Sequence, residues 1–120
     1  MGASRLRALM RERAQARRKA ALAAAARVLD ELASAGVAAV VAGSLAKGPF
    51  LAHSDVDFVV VGQPDRARRR RAEEIVARNM AAAGLPYDLV FADFLADRPR
   101  TALLEGHLDA SRLRALATAA

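Results

Sequence analysis

Apolar positions along this chain follow two rhythms. Leu6, Leu9, Met10, Leu22, Leu29 and Leu32 recur at helical spacing with arginine and alanine between them, the one-face pattern of an amphipathic helix. The spacing predicts a helix over 4–35, with Gln15 as its candidate break. Then the rhythm shortens. Residues 37–42 form a brief apolar, β-branched run, as do 56–61 and 87–91, and each reads as a strand. Between the last two, Ala72, Ile75, Val76, Met80 and Ala83 return to helical spacing over 66–83. That helix is expected to close at Gly84, the residue type that ends helices in the left-handed conformation. A short helix is expected around 44–48, a loop over 93–99, a second short helix at 101–105, a break at Gly106 and a last helix over 109–116.

Composition bounds this picture without changing it. With 120 residues, 54% apolar and 4% aromatic, there is room for one domain whose core is chiefly Ala, Leu and Val. Cysteine is absent, which excludes disulfides and cysteine-based zinc sites and suits a reducing cytoplasm. The alanine-dominated stretch 20–26 is far below a membrane span and carries no signal-peptide pattern, so a cytoplasmic protein without a membrane role is expected.

Charge adds an asymmetry. The net charge is +6, and the first nineteen residues hold seven basic side chains against Glu12 alone, so the whole excess lies at the N-terminus. A solvated basic helix face is the reading adopted, with an acidic partner or RNA as the other one. A second basic run, Arg66 and Arg68 to Arg71, opens the helix at 66, where the dipole disfavours cations. It too is expected to be solvated rather than bound to an anionic partner.

The candidate chemistry sits between the first two strands. Asp55 and Asp57 flank Val56 at the mouth of the second strand, and residues two apart on a strand share a side. Like charges held so close repel and raise each other's pKa, unless a hard, oxygen-seeking divalent cation lies between them. Gly43-Ser44 ends the first strand ahead of Leu45-Ala46-Lys47. A glycine turn opening a short helix offers unpaired amides to phosphate, with the Ser44 hydroxyl and Lys47 ammonium as further donors. His53 reads as an ordinary loop residue.

Gly43-Ser44, ten residues, then Asp55-Val56-Asp57 resembles the signature of the nucleotidyltransferase superfamily that includes DNA polymerase beta, and within it the minimal nucleotidyltransferases, or MNT domains. The resemblance covers roughly residues 20–105. It implies an α/β (α+β) fold with a small mixed β-sheet flanked by helices, as a single domain 1–120 made of an N-terminal helical segment, 1–35, and a catalytic core, 36–105. It also implies a third carboxylate on a later strand. Asp88, 31 residues after Asp57, fits that place, and Asp93 is the fallback.

What the resemblance implies for chemistry is nucleotidyl transfer from ATP with two Mg²⁺ ions. Asp55 and Asp57 would bridge the ions, Asp88 would complete the second site and hold the attacking hydroxyl, and Gly43, Ser44 and Lys47 would bind phosphates. Stand-alone domains of this kind resemble antitoxins that transfer AMP to a tyrosine of a helical HEPN ribonuclease toxin, and that partner is expected here. Small-molecule transfer of the aminoglycoside-modifying type, and an inactive antitoxin acting by binding, are the alternatives. Departures from the signature are the arginine-poor Leu45-Ala46-Lys47 and the alanine-rich N-terminal extension, which leave nucleotide choice and oligomeric state open.

Overall fold

The computed structural model describes residues 2–119. In chain order the elements are α1 (Gly2–Ser34), β1 (Ala39–Ala42), α2 (Gly43–Lys47), β2 (Val56–Val60), α3 (Arg66–Ala83), β3 (Tyr87–Phe91), a 3-10 turn at Ala92–Phe94, α4 (Asp97–Leu104) and α5 (Ala110–Ala119). The three strands form one mixed sheet in the order β1-β2-β3. β1 runs antiparallel to β2, and β3 parallel to it across the α3 crossover. This is the small mixed sheet with helices that the sequence resemblance implied.

Strand alternation divides the apolar residues between two faces. Val56, Phe58 and Val60 of β2 join Leu22, Val28 and Leu32 of α1, Ile75, Val76 and Met80 of α3, and Leu113 of α5 in the main core. On the other face a smaller cluster gathers Ala42, Val59 and Ala92, with Val40 and the α4 leucines Leu103 and Leu104. Small side chains at Ala21, Ala24 and Ala25, all fully buried, let α1 lie close against its neighbours. α5 packs along α1, where Arg114 bonds Asp30 at 2.6 Å.

Helix ends follow from local chemistry. Asp65 caps α3 by accepting from the Arg68 N–H at 2.8 Å. At the other end Gly84 takes φ +66, with its N–H on Ala81 and that of Leu85 on Met80, both 3.1 Å, the paired bonds of a left-handed helix stop. The first strand is shorter than 37–42, because Val37 still bonds back to Leu32 of α1 at 2.9 Å.

Several sequence expectations need correction. α1 runs through Gln15 without a break, since Gln, Ala and Arg there are all good helix formers. Residues 93–99 are only partly loop: the 3-10 turn takes Asp93 and Phe94, α4 starts at Asp97, and Leu95 and Ala96 connect them. Pro99 sits in the first turn of α4, where a missing N–H has no helical partner to lose. The last helix extends beyond 116 to Ala119. Leu6, Leu9 and Met10 are exposed at 57, 42 and 61%, so the first half of α1 stands outside the core. No helix among the described residues is long and apolar enough to cross a membrane.

Candidate active site

Strand register builds the site. Asp57 pairs with Ala42 of β1 on one side and with Asp88 of β3 on the other. Its neighbours Val56 and Phe58 point into the helical core, so Asp57 points the opposite way. Leu89 and Phe91 of β3 also pack toward that core, which puts Asp88 on the same outer face. The two aspartates thus stand side by side on strands about 4.8 Å apart. The α4 leucines pack farther along this face, around Val59 and Ala92. Asp55 lies one residue ahead of β2 and is exposed, as is Asp88, whereas Asp57 is half-buried.

The charges are uncompensated. Burial pushes the Asp57 carboxyl above its ordinary pKa, and the like charges of Asp88 and then Asp55 push it further. Among the described residues no donor or cation offsets this, and none of the three aspartates belongs to an ion pair. Asp88 accepts one bond, from the Leu89 N–H at 3.0 Å. Oxygen-only, negatively charged and short of donors, the set has the chemistry of a hard divalent cation site. Among the described residues no three His, Cys, Asp or Glu groups close into a cage for an ion. Mg²⁺ does not require one, being held by one or two carboxylates together with substrate phosphates and water. Asp57 with Asp88, and Asp55 at their edge, fit that pattern.

Gly43 makes this arrangement possible. It follows the Ala42 that pairs with Asp57, and its backbone takes φ +68. A Cβ built there would fall on the Asp57 carboxylate itself. Only glycine gives both the conformation and the space. α2 then starts at Gly43, so the amides of this first turn have no partner within the helix. Ser44 is half-buried beside them, and its carbonyl accepts from Gly48.

Lys47 lies elsewhere in its contacts: its ammonium reaches the Ala102 carbonyl of α4 at 3.4 Å, and its stem passes Gly106. His53 is exposed in the loop before Asp55. The fallback carboxylate Asp93 is spoken for. It lies beyond the far end of β3 and forms an ion pair with Arg69 of α3, whose guanidinium stacks 5.0 Å from the Phe91 ring centroid and 4.5 Å from that of Phe94. Arg69 holds Asp93 below the usual carboxylate range.

The second basic run is therefore not simply solvated: Arg68 pairs with Asp65, Arg69 with Asp93 and Arg71 with Glu74. Sequence reasoning also missed Arg17. Its guanidinium donates to the carbonyls of Leu51 at 3.2 Å and Ser54 at 3.3 Å, and lies 5.4 Å from the Phe50 ring centroid. Ser54 Oγ in turn accepts from the Leu51 N–H at 2.9 Å. The loop that delivers Asp55 is thus tied to α1. No local signal marks Arg17 among the seven cations of that segment, because its partners are 34 and 37 residues away.

Compared with known families, residues 22–109 match the nucleotidyltransferase domain. The match starts beside Ala21, where burial along α1 also starts. No curated protein and no solved structure gives a match to the chain.

Proposed function

The chain belongs to the nucleotidyltransferase domain family, and we propose that it transfers AMP from ATP to a hydroxyl, the acceptor being a tyrosine of a partner HEPN ribonuclease toxin in the cytoplasm. The family supports nucleotidyl transfer in general. The observation that supports a transfer site here is the register pairing of Asp57 with Asp88 on the outer face of the sheet, next to a glycine that leaves room for the Asp57 carboxylate; the nucleotide and the acceptor rest on the resemblance of the sequence to minimal nucleotidyltransferases.

Asp55 and Asp57 would hold two Mg²⁺ ions, with Asp88 completing the second site. When bound, the ions neutralise phosphate charge and lower the pKa of the attacking hydroxyl. The Gly43 amide and the Ser44 hydroxyl would donate to the phosphates and fix the α-phosphorus. Asp88 is exposed and would position the incoming hydroxyl and take its proton. The acceptor oxygen then bonds to the α-phosphorus, the bond to the bridging oxygen breaks, and pyrophosphate leaves. Lys47 is a secondary phosphate donor in this scheme, since reaching the nucleotide means releasing Ala102.

The exposure of Asp55 and Asp88 favours a large acceptor, because a tyrosine on a protein surface can approach them without entering a closed cleft. The test is incubation with Mg²⁺ and α-labelled ATP, with the product of the neighbouring gene in one reaction and an aminoglycoside in a parallel one. Label on a tyrosine of that protein is the expected result. Label on an aminoglycoside instead, or tight binding of the partner with no label, would overturn the reading in favour of small-molecule transfer or neutralisation by binding.

A further inference from the structure

α1 is 33 residues long, about 50 Å of helix at 1.5 Å per residue, yet its buried positions run only from Ala21 to Leu32. The part ahead of Ala21 stands outside the core, and the molecule measures 57 × 31 × 22 Å. This overhang also lies outside the stretch shared with the family. It nevertheless carries an apolar stripe. Leu6, Met10, Ala14, Ala21, Ala24, Val28 and Leu32 lie on one helix face, with Arg17 interrupting it between Ala14 and Ala21, so the exposed stripe is the same face that becomes core farther on.

The stripe continues onto the loop that leads to the catalytic carboxylates. Met10, Arg11, Arg13, Ala14 and Arg17 of α1 line a groove of about 460 Å³ together with Leu51 and Ala52 of the loop. Leu51 is 45% exposed. Arg17 bonds this loop at Leu51 and Ser54, one residue short of Asp55. Anything seated on the stripe therefore touches the loop that delivers Asp55.

We infer that the overhanging half of α1, with loop 50–54, is the docking surface for the acceptor protein, and that it takes an acidic amphipathic helix of that protein. Charge selects the occupant: besides Arg17, which is tied to the loop, six cations and one Glu share this segment with the stripe. A second copy of this chain would set those cations against their like. Nucleic acid would answer the charge but leave Leu6, Met10 and Leu51 in water, and α1 offers no aromatic ring for a base to stack on. A helix with leucines on one face and carboxylates on its flanks satisfies both features. The inference rests on the protein-acceptor reading only for the occupant's role; docking itself is measured apart from transfer.

The probe is a fluorescent helix of roughly twenty residues with leucine at helical spacing and glutamate elsewhere, read by anisotropy against the full chain at about 0.15 M salt. A scrambled peptide of the same composition and a single-stranded RNA are the controls. The amphipathic peptide is expected to bind at least about tenfold more tightly than the scramble, and a Leu6→Ser/Met10→Ser variant to lose about tenfold. That variant should keep the wild-type melting temperature, as both positions are exposed. Asp57→Asn should keep peptide binding while losing transfer, and a wild type that binds the peptide yet transfers no label counts against the proposed reaction alone. Equal binding of the scramble, tighter binding of the RNA, or a dimer in sedimentation that Leu6→Ser/Met10→Ser dissolves would each overturn the inference.

Discussion

Replacing Gly43 with alanine perturbs the site through two separable effects. The first is conformational: Gly43 has φ +68, and a side-chain-bearing residue held in the left-handed region costs about 1–2 kcal/mol. For a chain of this size that is a fall in melting temperature of roughly 5–10 °C. The second is steric. The new Cβ overlaps the Asp57 carboxylate, so the carboxylate must swing out of its place beside Asp88. A displacement of about 1 Å in a catalytic group costs on the order of 100-fold in rate. Thermal melts and Mn²⁺–ATP titrations on Gly43→Ala, Asp57→Ala and the double variant separate the two effects. In the Asp57→Ala background only the conformational cost should remain, so Gly43→Ala should lower the melting temperature less there than in the wild type. If Gly43→Ala binds Mn²⁺–ATP as the wild type does, or costs the same in both backgrounds, the close approach of Gly43 to Asp57 plays no part in the site.

Other perturbations follow from the same geometry. Asp57 has its pKa raised by burial and by Asp88 and Asp55, so the folded state holds this proton more tightly than the unfolded chain and the ionised group destabilises the metal-free fold above its folded pKa. Asp57→Asn should accordingly melt above the wild type at pH 7 in chelator, with the two curves converging toward about pH 3. Adding Mn²⁺ should raise the wild-type melting temperature and leave Asp57→Asn where it was. Phe58 is fully buried between the sheet and the helices, and Phe58→Ala should cost about 3–5 kcal/mol in denaturant unfolding; a loss under 1 kcal/mol would mean that the core is not packed as described. Arg17→Met removes both bonds to the 51–54 loop, and amide exchange at Leu51 and Ser54 should quicken by about tenfold, whereas unchanged exchange would show that the loop holds itself.

The parts of this molecule that were legible in the sequence are those fixed by local periodicity. Period-two alternation placed Asp57 opposite Val56 and Phe58, and helical spacing with Gly84 set the end of α3. The ten-residue interval from Gly43-Ser44 to Asp55 pointed to the family as a match to its signature, and in the structure it holds the rest of α2 and the loop that follows. Asp88 could be preferred to Asp93 because Asp93 lies past the apolar residues of the strand, but the pairing of Asp88 was not legible: the register that sets Asp88 opposite Asp57 is decided by the sheet. The rest depended on contacts across long separations. Nothing in the spacing of the first twenty residues distinguishes an exposed stripe from a buried one, since burial of Leu6 and Met10 depends on where α3 and α5 end. Nor could the charge run at 66–71 reveal that Arg69 stacks on Phe91 and Phe94 while pairing with Asp93.

The central claim is that Asp57, with Asp55 and Asp88, supports transfer of a nucleotidyl group. It is tested most directly by supplying ATP labelled at the α-phosphate in one reaction and at the γ-phosphate in another, with Mg²⁺ and the partner protein, to wild type and Asp57→Asn. The account predicts α-label on the acceptor, γ-label in pyrophosphate alone, and neither product from Asp57→Asn. Label from the γ-phosphate on the acceptor, or α-label undiminished in Asp57→Asn, would contradict it.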